Sequence, residues 1–178
     1  MRRFLAVVIV VIVVAAIYRL FAGAETATGT LTLPQPAPDA GQKAPTFTAK
    51  SVSGRPFRLT RRGTYVLVFW DSLDAQSSQA RRSFTRLARR FDGTRVTFAA
   101  VYIGDAPTTH DTPYTVLTDG GGRLSSMYNV KRVPRLFLIH DGRIILVQNG
   151  YYEENTRILA RDLKEMTSGK DARPPEKR

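Results

Sequence analysis

"TYVLVFWDSLDAQSS", Thr64 to Ser78, decides how the rest of the chain is read. Its first seven residues form an almost unbroken apolar run, the pattern of a central strand buried on both faces. The polar residues after Trp70 then lead into an arginine-studded segment. Apolar residues recur there at Ala80, Phe84, Leu87, Ala88 and Phe91, at intervals of 4, 3, 1 and 3. That is one stripe of an amphipathic helix from Asp74 to about Phe91, whose other face carries Arg81, Arg82, Arg86, Arg89 and Arg90. A buried strand running through a short loop into a helix N-terminus is where many folds place reactive groups. This loop contains no cysteine, histidine or lysine.

Outward from this stretch, the order is mixed. "PTFTAKSVSGRPFRL" (Pro45 to Leu59) reads as a hairpin around Ser53-Gly54, and "RVTFAAVYI" (Arg95 to Ile103) as a second buried strand. A loop containing Pro107 and Pro113 follows, then a short helix near Gly122 to Tyr128. "RLFLIH" and "RIILVQ" flank Asp141-Gly142, a strong two-residue hairpin signal. A last helix, Glu153 to Met166, turns Ile158, Leu159 and Leu163 to the core. The predicted fold is α/β, a mixed central sheet with helices on both faces and a right-handed crossover after the first strand.

The ends are different in kind. After Arg2 and Arg3 comes "FLAVVIVVIVVAAIY", Phe4 to Tyr18, without a charge. Fifteen helical residues span only about 22 Å. Counting on to Ala24 reaches about 31 Å, enough for a membrane if Arg19 snorkels to the interface. Residues 1–24 thus read as a single transmembrane anchor with its N-terminus inside. A signal segment cut near Ala24 is the alternative, since Ala22-Gly23-Ala24 fits the small-x-small pattern. Either way the domain is expected outside the cytoplasm, at the cell membrane or released from it. Residues 25–43, rich in Ala, Thr and Pro, read as a tether, 44–166 as the folded domain, and 167–178 as a disordered polar tail.

Composition removes several classes of chemistry. The 178 residues include no cysteine, which excludes disulfides, thiolate zinc sites and thiol catalysis. His110 and His140 are the only histidines, both expected at the surface, so no metal or other cofactor is expected. The net charge is +12, and without Arg2, Arg3 and Arg19 the remainder still carries +9. That favours acidic partners, with anionic lipid headgroups facing the first helix as one possibility. Nucleic acid is not expected, because no aromatic residues interleave with the basic ones to stack bases. "DGGG" (Asp119 to Gly122) lacks the lysine and hydroxyl of a phosphate loop and reads as a turn.

Taken together, "GQKAPTFTAKSVSGRPFRL", "YVLVFWDS" and "YTVLTDGGGRLSSMYNVKRVPRLFLIHDGRI" resemble the thioredoxin-like proteins. The type is the membrane-tethered redoxins related to alkyl hydroperoxide reductase and to the thiol-disulfide proteins of cytochrome maturation. The resemblance covers about Gly41 to Met166 and implies a three-layer α/β/α domain with an N-terminal β-hairpin. It also implies a cis-proline at Val133-Pro134. Where the family carries its two cysteines, this chain has Asp74 and Ser77, and the position before Phe69, often acidic in the family, is Val68. Asp74 suits an N-cap, but a carboxylate cannot form a mixed disulfide. Arg135 stands where the family commonly has a small polar residue.

Two expectations follow from the resemblance. One is a redox-inactive module that binds a protein or extended peptide through Trp70, Asp74, Ser77, Arg132, Val133, Pro134 and Arg135. In it Asp74 either helps dock an acidic peptide or ion-pairs with the neighbouring cations, and Trp70 serves core packing more than a ligand platform. The other is an enzyme in which Ser77 and the helix dipole hold the thiol of a substrate. Capping alone is the plain reading of Asp74 and Ser77.

Overall fold

The computed structural model describes residues 38–106, 111–150 and 153–168. The apolar run Phe4 to Tyr18, the tether before residue 38, His110 and residues 169–178 lie outside the described residues. Among the described residues no helix is long and apolar enough to cross a membrane. In chain order the elements are β1 (Phe47–Lys50), β2 (Pro56–Leu59), β3 (Thr64–Trp70), α1 (Ala75–Arg90), β4 (Val96–Tyr102), β5 (Thr115–Thr118), α2 (Arg123–Met127), β6 (Arg135–His140), β7 (Arg143–Asn149) and α3 (Glu153–Thr167).

β3 is the central strand of a five-stranded sheet ordered β5-β4-β3-β6-β7. It pairs in parallel with β4, from Thr64↔Val96 to Trp70↔Tyr102. On its other side it pairs antiparallel with β6, from Thr64↔His140 to Phe69↔Arg135. With neighbours on both edges and layers on both faces, only Tyr65 of its seven residues is less than fully buried. The two-residue period of a strand then builds two cores. Val66, Val68 and Trp70 pack with Phe84, Leu87 and Ala88 of α1 and with Leu159 and Leu163 of α3. Leu67 and Phe69 pack on the opposite side with Phe47 and Phe57 of the β1–β2 hairpin, Leu124 of α2, Tyr128 and Phe137.

The second face is covered by the expected hairpin and short helix, α2 having five residues. Three details depart from the sequence reading. β5, four residues long and only half apolar, lies where a loop was expected, because so short a strand leaves no periodic signal. Ile158 is only half-buried while Leu159 and Leu163 are fully so. The tether ends earlier than Lys43: the Gly41 N–H donates to the Ile144 carbonyl at 2.7 Å, and the Ile144 N–H donates to that of Gln42 at 2.9 Å. The β6–β7 turn meets its expectation, with Asp141 at φ 45° and Gly142 at φ 73°, the left-handed pair that a tight two-residue hairpin demands.

Candidate functional site

The start of α1 is fastened by its own side chains. Asp74 is the N-cap, in extended backbone at φ −81° and ψ 128°, and its carboxylate accepts the Ser77 N–H at 2.5 Å. That satisfies one of the orphan amides of a helix start and places negative charge at the positive end of the dipole. Ser77 is completely buried, and its Oγ accepts the Asp71 N–H at 3.3 Å. Asp71 in turn holds the loop: its Oδ1 accepts the Leu73 N–H at 2.9 Å. Ser72 Oγ donates to the Asp105 carbonyl at 2.7 Å. The Asp74 carboxylate and the Ser77 hydroxyl are thus both engaged in local structural bonds, and among the described residues no histidine or lysine bonds to Ser77.

Across the sheet, the Val133-Pro134 peptide bond is cis. The β3–β6 register, continued one step past Phe69↔Arg135, sets Trp70 opposite Pro134, and both line a small, mostly apolar cavity of about 30 Å³ with Val68, Ala80 and Leu136. The sequence-predicted residues are therefore brought to one end of the sheet, though in unequal states of exposure. Trp70 is 0% exposed, with its ring edge-on to Phe84 at 5.3 Å, Tyr102 at 5.6 Å and Tyr114 at 6.1 Å. It belongs to the core and offers no surface to a partner, so it leaves the binding set. Ser77 leaves that set for the same reason. Arg132 is exposed, and Val133 is half-buried. Val133 makes no backbone hydrogen bond among the described residues, since the ladders on both sides begin at Arg135.

Arg135 is not a partner of Asp74. Among the described residues no ion pair joins Asp74 to Arg132 or Arg135. The Arg135 guanidinium lies 5.2 Å over the Phe137 ring, and its Nε is buried without a hydrogen-bond partner. Burial draws its pKa below the usual arginine value, and the charge of Asp39 acts in the opposite direction. The acid that matters to Arg135 thus comes from the docked end of the tether. Its adjacency depends on a long-range contact and left no trace in the local sequence. The expected turn at Asp119 to Gly122 also does structural work, with the Asp119 carboxylate accepting the N–H groups of Leu124 (2.8 Å) and Ser125 (2.7 Å) at the start of α2.

One residue that sequence reasoning passed over is almost wholly exposed. Leu73 is 95% exposed, the only large apolar side chain so placed among the described residues. It stands immediately before the N-cap, on the loop that Asp71 and Ser72 fix. An apolar residue between two polar ones in a loop was the available signal, but exposed single leucines are ordinary on protein surfaces. Its position at the helix start is what singles it out. Among the described residues no group of three or more acidic or histidine side chains gathers to hold a metal.

No protein-family profile and no curated protein is matched by the sequence. Solved structures are matched in number. A Chlorobium tepidum protein named as the thiol:disulfide interchange protein DsbE aligns with a TM-score of 0.63 at 24% identity, over 72% of this chain and 97% of its own. A secreted disulfide oxidoreductase of Mycobacterium tuberculosis homologous to E. coli DsbE aligns at 0.54 and 22%, over 65% and 95%. The peroxidoxin BcpB of the same organism aligns at 0.57 and 19%, over 69% and 94%. At these identities the likeness is one of fold. The mixed sheet with its helices and hairpin is thus a thioredoxin-like fold, in a chain that contains no cysteine.

Proposed function

We propose that this domain is a redox-inactive module that binds a protein or extended peptide at the end of the sheet where Leu73, Arg132 and the Val133 backbone are open. The single observation that carries this reading is Leu73, 95% exposed beside a helix start whose Asp74 carboxylate and Ser77 hydroxyl are bonded within the fold. An apolar anchor, an unpaired stretch of main chain and a nearby cation suit a segment that adds main-chain bonds and inserts an apolar residue, with an acidic group toward Arg132. Two of the aligned proteins are named for disulfide interchange or disulfide oxidoreduction, chemistry that needs a thiolate this chain does not possess. The apolar run Phe4 to Tyr18 supports placement of the domain outside the cytoplasm on a membrane tether. The reading in which Ser77 holds a substrate thiol lacks an accessible oxygen, since Ser77 is 0% exposed.

The test is affinity capture by the full chain from its own membranes. Leu73→Ser and Arg132→Glu change exposed positions, so both variants should fold and lose the captured partner. Capture undiminished in both would remove the groove. Disulfide reduction measured on the same preparations should stay at background.

A further inference from the structure

We propose that the face of α1 carrying Arg81, Arg82 and Arg86 is a binding site for a phosphate group. These arginines, with Ser78 and Thr85 of the same helix, Tyr102 at the end of β4 and Tyr114 just before β5, surround a recess of about 490 Å³. That is the size of a small-ligand site. Its chemistry is one-sided, with three guanidinium forks, four hydroxyls and no carboxylate.

The arginines are positioned but not neutralised. Arg81 Nη2 donates to Ser78 Oγ at 3.3 Å and Arg86 Nη2 to Ser83 Oγ at 2.9 Å, which holds two of the heads while leaving most of their N–H groups unused. Among the described residues none of the three forms an ion pair. Arg89 and Arg90 lie in the last turn, where the carbonyl end of the helix favours cations. Arg81, Arg82 and Arg86 lie upstream of that compensation, and Arg82 and Arg86, four residues apart, repel.

The wall opposite the arginines is ordered. Thr85 Oγ1 donates to the Arg81 carbonyl at 2.8 Å, and the Tyr114 side chain stands beside those of Thr85 and Tyr102. Burial raises the Tyr114 pKa, so its hydroxyl stays protonated and uncharged beside the arginines. A phosphate group presents three terminal oxygens and up to two charges, which suits several convergent forks better than a two-oxygen carboxylate does. The source is either a small phosphate ester or a lipid headgroup, and the same oxyanion chemistry serves both.

The experiment uses the full chain in neutral detergent, with inorganic phosphate titrated against chloride at matched ionic strength. Calorimetry follows binding, and the thermal midpoint follows stability. A saturable binding curve with a rising midpoint is expected. Arg81→Gln/Arg86→Gln should weaken binding by about tenfold or more, Tyr114→Phe by a few-fold, and Arg58→Gln on β2 not at all. Arg82→Gln, at an exposed position, supplies a second variant should the double one lose its fold. Competition by glycerol 3-phosphate alone assigns the site to a soluble ester, and equal competition by short-chain phosphatidylglycerol assigns it to a lipid headgroup. Either result supports the site. A response no greater than that to chloride, or one that survives the arginine changes, overturns it.

Discussion

The Tyr128 hydroxyl donates to the Pro45 carbonyl at 2.7 Å, joining the end of α2 to the entry of the hairpin across 83 positions of sequence. Tyr128 is fully buried, edge-on to Phe47 and Phe137, so this bond sits inside the core under the second face. Tyr128→Phe keeps the ring and removes the donor, leaving the Pro45 carbonyl without it. A loss of about 1 kcal/mol in urea unfolding is expected.

The same residue predicts an alkaline limit. Burial raises the Tyr128 pKa far above its usual 10.0, and Tyr114 shifts in the same direction. Below pH 10 both folded and unfolded chains keep the proton, and stability does not respond. Above it the unfolded chain releases the proton while the folded one holds it, so stability falls as pH rises. Unfolding midpoints from pH 8 to 11.5 should show this decline, shallower in Tyr128→Phe.

Asp74 is predicted to matter through its cap alone. Asp74→Ala should cost about 1 kcal/mol of stability, and Asp74→Asn a few tenths, because asparagine caps nearly as well. Chemical denaturation of both variants measures the difference. A cost in Asp74→Asn as large as in Asp74→Ala would mean that the charge, and not the cap, is what the fold uses.

Restoring sulfur tests the frame directly. The N-cap position points at free amides and the positive helix end, the setting that lowers a thiol pKa. Asp74→Cys/Ser77→Cys should gain disulfide reductase activity in an insulin-type assay, and Asp74→Cys alone should attack a partner disulfide, release one of its sulfurs as a thiol and stay joined to the other as a mixed disulfide without turnover. Alkylation rate against pH should report a thiol pKa below the usual 8.5 or so.

Gly142 is a strict position. Its φ of 73° disfavours a side chain, and a Cβ there would come 3.1 Å from the Arg61 carbonyl oxygen, backbone that cannot swing away. Gly142→Ala should lose about 2 kcal/mol, read from the thermal midpoint.

Much of this was visible in the residues. β3 could be bounded to the residue because burial on both faces leaves a continuous apolar run. α1 was visible from its stripe and from the acid that caps it. The spacing of Asp74 and Ser77 placed them at the helix start without a structure. What stayed hidden depends on contacts distant in sequence. The docking of Gly41 and Gln42 on β7 and the influence of Asp39 on Arg135 leave no local pattern. Leu73 was hidden for the opposite reason: its side chain stands almost wholly in solvent, and sequence periodicity records only what packs.

The chain that enters the domain also guards it. Gly41 to Ala44 bond along β7, the last strand on one side of the sheet, and Ser51 and Val52 bond to Leu117 and Val116 of β5, the last on the other. A dozen residues thus sheathe both open margins, where bare amides and carbonyls invite strands from other molecules. A protease that clipped just before Pro45 would unzip one of those margins and turn a self-contained domain into one prone to stick to its own copies.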